Sequence, residues 1–388
     1  MASEKFVLVT GNLQDNQRFL WLPVEPTPYI LALAQALTQR SPWRMQLLFM
    51  SENNSQPWNV KLDPKSNRVL PTNRLAAMAQ ILTELRAGDV AGVMVAGWYG
   101  MLPLFTLIAC RLLGIRVCLT SDTQLDPRQP FWKRLIKAFW YPILFGLPDM
   151  FFVAGKRQAS MVSHYGVLDQ RIRPMGLTVD VATIRDRIQR LHAHRETIRA
   201  RFGLKVEAKV LLYVGRLEKY KGIEDMLTAF QATGTSHPSA RLLVVGSGSL
   251  ELAVIRASKR DPRIQFLGHL DFDGVIEALS LSDLAIIPSR REPWGLVVIE
   301  ALAAGLPVIV THRVGCVDDL IQNGDNGIII PEKDPTALRR ALVSLLDNPE
   351  RLERMRQQAH TSIDQWTMER SADRIVDGWR SMVTTMEK

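Results

Sequence analysis

The stretch Glu292-Pro-Trp-Gly-Leu-Val-Val-Ile-Glu300 sets two carboxylates eight positions apart across a turn into a helix. It follows an apolar run, Leu284-Ala285-Ile286-Ile287-Pro288, that reads as a buried strand. Gly305-Leu306-Pro307 ends the helix, and another strand-like run, Val308 to Thr311, begins at once. Glu292 therefore falls in the loop at the carboxyl end of a strand, where open α/β sheets bind ligands. Glu300 comes about two turns later and can face the same crevice. Gly295 opens the helix and leaves its first N–H groups bare, which makes an anion site. Carboxylates suit sugar or ribose hydroxyls, and a helix N-terminus suits a diphosphate. Together they predict a nucleotide-sugar site.

The same alternation runs through the chain. In the first half, strand-like runs at Phe6–Thr10, Gln46–Met50, Val93–Ala96, Val117–Thr120 and Met150–Ala154 are separated by helical patterns. Those patterns cover Tyr29–Gln39, Arg74–Arg86, Leu102–Leu113 and Phe131–Leu144. Ser51 to Asn73 reads as a long polar loop. The second half repeats the pattern, with strands at Val210–Val214, Arg241–Val245, Ile264–Leu267, Leu284–Ile287, Val308–Thr311 and Gly327–Ile330. Parallel βαβ units in both halves predict two Rossmann-like domains facing across a cleft.

A chain of 388 residues has room for two such cores. At 47% hydrophobic and 22% charged residues, it reads as an ordinary soluble, cytoplasmic protein. No apolar run has the length of a membrane span, and the amino end reads as a strand rather than a signal peptide. Cys110, Cys118 and Cys316 show neither metal-ligand spacing nor a disulfide framework. Charge is unevenly placed. Residues 1–190 hold 22 Lys and Arg against 13 Asp and Glu, so the whole net charge of +9 lies there. This fits a partner with phosphates or an anionic membrane surface. Nucleic acid is not expected, because no recognition motif has the required spacing.

From about Val210 to Trp366 the chain resembles the GT-B glycosyltransferases, within them the retaining group 1 (family 4) enzymes. The resemblance rests on Tyr213-Val-Gly-Arg-Leu-Glu-Lys-Tyr-Lys-Gly222, Val245-Gly-Ser-Gly-Ser-Leu250, Phe266-Leu-Gly268, the E-x7-E stretch and Gly324-Asp-Asn-Gly327. It implies that Arg216 and Lys221, bracketed by Gly215 and Gly222, hold the donor diphosphate. Fixed cations there would stabilise the charge that grows on the leaving group. It further implies that Glu292 meets the hexose hydroxyls and Glu300 the ribose diol. The N–H groups of Gly295, Leu296 and Val297 would bind the distal phosphate, the Gly246 loop would lie beside the nucleotide, and the His269–Leu270 backbone would touch the base. The family often places a glycine pair after the first strand, where this chain has Gly11 alone. It also places a histidine beside an acid after the Val117 strand, where this chain reads Thr120-Ser121-Asp122. Asp122 then becomes the candidate for contacting a donor hydroxyl or the acceptor.

The expected organisation is an acceptor-binding domain over residues 1–190, a nucleotide-sugar domain over 191–366, and a helix at 367–388 crossing back to the first domain. The expected reaction is retaining, metal-independent transfer of a hexose from a nucleotide diphosphate sugar, in cell-surface polysaccharide or glycolipid synthesis. The acceptor is a saccharide, a lipid-linked saccharide or a polyol. Asp271-Phe-Asp273 has the form of a metal-binding D-x-D string but reads as a helix cap. Gly246-Ser-Gly-Ser lacks the third glycine of a dinucleotide fingerprint. His164 reads as structural. Gly97-Trp98-Tyr99-Gly100 reads equally as a sugar-stacking surface or a packed helix entry. Phe131 to Phe145 mixes bulky apolar residues with Lys133, Arg134 and Lys137, as in an interfacial amphipathic helix. Peripheral attachment to the inner membrane face is the corresponding expectation. A non-catalytic lipid- or partner-binding module on this fold, and a nucleotide-sugar epimerase or phosphorylase, are the alternatives.

Overall fold

The apolar runs pair as two open sheets. A computed structural model describes residues 17–52, 62–234 and 236–384, and every strand pair in it is parallel. The first sheet holds β1 (Arg18–Leu22), β2 (Arg44–Phe49), β3 (Asn67–Val69), β4 (Val90–Ala96), β5 (Val117–Ser121), β6 (Met150–Val153) and β7 (Ile172–Pro174), in the order β3-β2-β1-β4-β5-β6-β7. The second holds β8 (Val210–Val214), β9 (Arg241–Val245), β10 (Ile264–Gly268), β11 (Leu284–Ile287), β12 (Val308–Thr311) and β13 (Gly327–Ile330), in the order β10-β9-β8-β11-β12-β13. Both orders reverse direction once, between β1 and β4 and between β8 and β11. A crevice opens at such a reversal, because the helices on either side leave toward opposite faces.

Three strands differ from expectation. Phe6–Thr10 and Gly11 lie outside the described residues. The interior strand β1 is Arg18-Phe-Leu-Trp-Leu22, buried throughout. Its leading arginine disguises it. The guanidinium is buried, donating from Nε to Asp89 at 2.8 Å and pairing with Glu84 at 2.5 Å. The loop after β1 is thus Pro23 to Thr27, with no glycine. Short β3 lies within the segment expected to be loop, and β7 was not anticipated.

The helix Val181–His192 also departs from the expected boundary at 190. Val181 and Ile184 are buried in the second sheet's core, and the helix packs on Phe272–Leu281 and Leu296–Ala303. Its dense surface charge masks those apolar positions. The changeover between the two halves therefore falls before Val179, which lies in that same core. The last helix, Met368–Thr384, lies along Pro28–Arg40 of the first half. Its Trp379 is fully buried and stacks on Phe19 with ring centroids 3.8 Å apart, near Trp43. Trp379→Ala should cost about 3–5 kcal/mol of stability through the cavity it leaves. Urea unfolding checks this, and a loss below about 1 kcal/mol would mean that the stack holds nothing in place.

Candidate functional site

The loops after β8 and β11 flank the second sheet's reversal, and both carry charge. After β8 the chain turns through Gly215 and Arg216 and then a short 3-10 turn, Lys219–Lys221. Gly222 has φ 72°, and a Cβ there would collide with the Pro288 carbonyl oxygen. Only glycine lets the two loops approach this closely. The approach is locked by Tyr220, whose carbonyl accepts from the N–H groups of Arg290 (2.7 Å) and Arg291 (3.2 Å). Arg290 in turn grips Asp225 through two bonds of 2.9 Å.

That geometry brings Lys221 onto Glu292. The ammonium and the carboxylate form an ion pair with both side chains mostly buried. Three donors on Lys221 leave it able to hold Glu292 and an anion together. The Arg216 guanidinium lies 5.6 Å from the Tyr220 ring centre, on the same turn. The next two strand ends close the floor. Gly246 donates to the Gly268 carbonyl at 2.7 Å, and a Cβ on it would strike the Gly215 carbonyl. Gly215, Gly246 and His269–Leu270 thus stand at adjacent strand ends.

Gly295 caps the helix Leu296–Ala303 with φ 106°. The N–H groups of Gly295, Leu296 and Val297 precede the first intrahelical bond and are open to an anion. Glu300 lies in the second turn, with no ion pair or side-chain hydrogen bond among the described residues. It is partly exposed, yet the surrounding protein displaces enough water to push its carboxyl up to about 7. Asp122 opens into the cleft just after β5. Desolvation raises its pKa, and the charge of Glu292 adds to the rise. The structure therefore sets an acid from the first half opposite the Lys221–Glu292 pair of the second.

Sequence reasoning missed what holds that juxtaposition. Gln124 donates to the carbonyls of Glu292 (2.7 Å) and Arg313 (3.2 Å). Fully buried Gln158 donates to the carbonyls of Pro293 (2.7 Å) and Asp122 (3.3 Å). Arg157 clamps Asp318 with bonds of 2.6 and 2.8 Å, and Arg128 reaches Glu332 at 2.8 Å. The contacts that cross between the halves join residues more than 100 positions apart, so no local pattern announces them. Trp294 is buried, with its indole N–H on the Leu177 carbonyl at 2.8 Å, so it packs at the junction and does not narrow a pocket. Asp271 caps its helix by accepting from Gly274 N–H at 2.9 Å, while Asp273 pairs with Arg187. Trp98 is buried against Tyr141 and Phe145, which settles it as packing, whereas Tyr99 beside it is exposed. His164, expected to be structural, is exposed on the wall of a cavity.

The two sheets and the cleft between them are the GT-B fold. Along 94% of this chain the structure superposes on all of the Anabaena protein Alr3699/HepE, crystallised with UDP, at a TM-score of 0.75 and 16% identity. Residues 194–362 match the family model for glycosyl transferases group 1. Over 162 residues, 40% of this chain, it is 36% identical to a glycogen synthase of Mycobacterium tuberculosis, covering 39% of that protein. Over 190 residues, 47% of this chain, it is 32% identical to the N-acetyl-alpha-D-glucosaminyl L-malate synthase of Bacillus anthracis, covering 49% of it. The chain spans less than half the length of these curated relatives.

Glu300 gives the site a pH signature. Its folded pKa of about 7 lies above the ordinary 4.5, so between those values the folded protein keeps a proton that the unfolded chain releases. The stability this contributes is full below the lower value and is lost as pH rises through the upper one. Glu300→Gln should flatten that loss. Urea midpoints at about pH 5 and about pH 8, in both proteins, measure it, and equal slopes would refute the shift.

Proposed function

We propose that the protein transfers a hexose from a nucleotide diphosphate sugar to an acceptor hydroxyl, with retention and without need of a metal. The observation that carries this reading is the Lys221–Glu292 pair, seated at the sheet's reversal beside a helix N-terminus and facing Asp122. The bond from the anomeric carbon to the diphosphate oxygen breaks, and its electron pair stays on that oxygen. The acceptor oxygen bonds to the same carbon from the same face, and its proton passes to the departing oxygen. Arg216, Lys221 and the N–H groups of Gly295, Leu296 and Val297 stabilise the charge that develops, being fixed in place beforehand. Glu292 takes the hexose hydroxyls, Glu300 the ribose diol and the His269–Leu270 backbone the base. Asp122 stands in for the histidine of the resembling family. Binding both substrates between the halves orients them and excludes water. UDP, found with the Anabaena protein, is the first nucleotide to test.

The acceptor is proposed to be a lipid-linked saccharide presented at an anionic membrane. No helix among the described residues is long and apolar enough to cross a bilayer. The helix Phe131–Phe145 instead exposes Phe131, Trp132, Leu135, Ile136, Phe139, Trp140 and Ile143, each by more than half of its surface. With the basic first half around it, this is the character of a helix that lies in a membrane interface. Cell-surface polysaccharide or glycolipid synthesis is the corresponding role.

Two measurements test these statements. Turnover of UDP-sugars should fall about 100- to 1,000-fold in Lys221→Ala, with folding intact. Wild-type protein that neither binds nor turns over any UDP-, GDP- or ADP-sugar would leave a non-catalytic module as the reading. The protein should also sediment with vesicles containing anionic lipid, less so at high salt, and Phe139→Asp with Trp140→Asp should abolish this. Sedimentation unchanged in the double variant would remove the helix from the membrane contact.

A further inference from the structure

Beneath the helix Phe131–Phe145 lies a cavity of about 380 Å³, bounded on the far side by the loop from Thr123 to Gln129 and by His164 and Tyr165. The helix is two-sided about this cavity. At about 100° per residue, the seven exposed apolar residues fall on one half of its circumference. Arg134 and Lys137 fall on the other half, together with Tyr141 and Phe145, the helix's two buried anchors. Both cations line the cavity, and His164 lines it from the opposite wall. None of the three side chains has an ion pair or hydrogen bond among the described residues. Asp126, the cavity's carboxylate, is committed elsewhere, accepting from Arg313 at 3.2 Å and from the Arg128 N–H at 3.1 Å. Lys137 is partly desolvated, and this lowers its pKa against the attraction of Asp126, with the charges of Arg291 and Lys133 adding to the fall. The remaining wall is apolar, from Phe131 and Leu135. The cavity also begins at the reaction centre, since Thr123 follows Asp122 and the lining Gln124 holds the Glu292 carbonyl.

We infer that this cavity seats the phosphate of a lipid-linked acceptor between Arg134, Lys137 and His164, with the lipid chain leaving along the apolar half of the helix Phe131–Phe145. This rests on the glycosyl-transfer reading and names the chemistry of its acceptor. Unpaired cations beside an apolar wall match one ligand class, a phosphate carrying a hydrocarbon chain. The phosphate would anchor the acceptor while its saccharide extends past Gln124 toward Asp122. The apolar half of the helix, which borders the cavity through Phe131 and Leu135 and is otherwise exposed, would rest in the bilayer from which the chain comes.

Calorimetric titration of the full chain, with and without saturating UDP, tests this using decyl phosphate, inorganic phosphate and decanol in the absence of vesicles. Decyl phosphate should bind about tenfold or more tightly than either of the others, as a charge-assisted contact added to an apolar one requires. Arg134→Gln combined with Lys137→Gln should remove that advantage while UDP affinity stays unchanged, and His164→Gln alone should weaken it. Equal binding of inorganic phosphate would make the cavity a free-phosphate site, and equal binding of decanol would make it a plain apolar groove. Either result overturns the inference, as does decyl phosphate binding that ignores the Arg134 and Lys137 changes. Failure of UDP to bind would instead sink the donor reading, and the titrations without UDP would still decide the cavity.

Discussion

The carbonyl groups of Glu292 and Pro293 are held by two glutamines from the other half of the chain, and the site depends on that grip. Gln124 and Gln158 act on backbone oxygens, so they fix where the loop runs and leave its side chains free for substrate. From its own side, the loop is pinned by the Tyr220 carbonyl and by the close passage of Gly222 under Pro288. Each restraint is a modest hydrogen bond or a steric limit. Together they specify the position of Glu292 to within the play of a side chain, and Lys221 and Asp122 follow.

The same arrangement leaves charges unmatched where a substrate would match them. Glu300 has no side-chain partner among the described residues, and desolvation keeps its carboxyl harder to ionise than usual. Desolvation, with the field of Glu292 across the cleft adding to it, keeps Asp122 harder to ionise than an isolated acid. Lys221 and Glu292 neutralise one another in the meantime, which keeps two mostly buried charges tolerable before a ligand arrives.

Much of the second half was legible in the sequence because its signals are local. The six strands of the second sheet lie within a residue of their expected bounds, since each is a short apolar run bounded by Gly, Pro or Asp. Arg216 and Lys221 follow β8, and Glu292 and Gly295 follow β11, because the strand, loop and helix pattern around them is written in consecutive residues. The first half was harder to read. Its strand β1 opens with a buried arginine satisfied by residues about 70 positions away, so its polarity argued against burial. The glutamine grip and the pairing of Arg157 with Asp318 are long-range contacts between ordinary polar residues, and no spacing rule reaches them. The cavity under Phe131–Phe145 was hidden because its walls come from three separate segments.

The chain passes between the two halves twice, once near Leu177–Thr178 and once near Trp366, and the two crossings touch. The Thr178 hydroxyl donates to the Trp366 carbonyl at 2.6 Å, and Trp294 rests against Trp366 and on the Leu177 carbonyl. Two adjacent covalent crossings make a hinge pin. Such a pair resists sliding of the halves more than rotation about its line, because sliding would have to stretch both segments at once. Displacement grows with distance from the pin, so the Arg128–Glu332 contact on the far lip would travel further than Trp294 for the same angle. A small turn about that line would therefore open the far lip while moving the junction little.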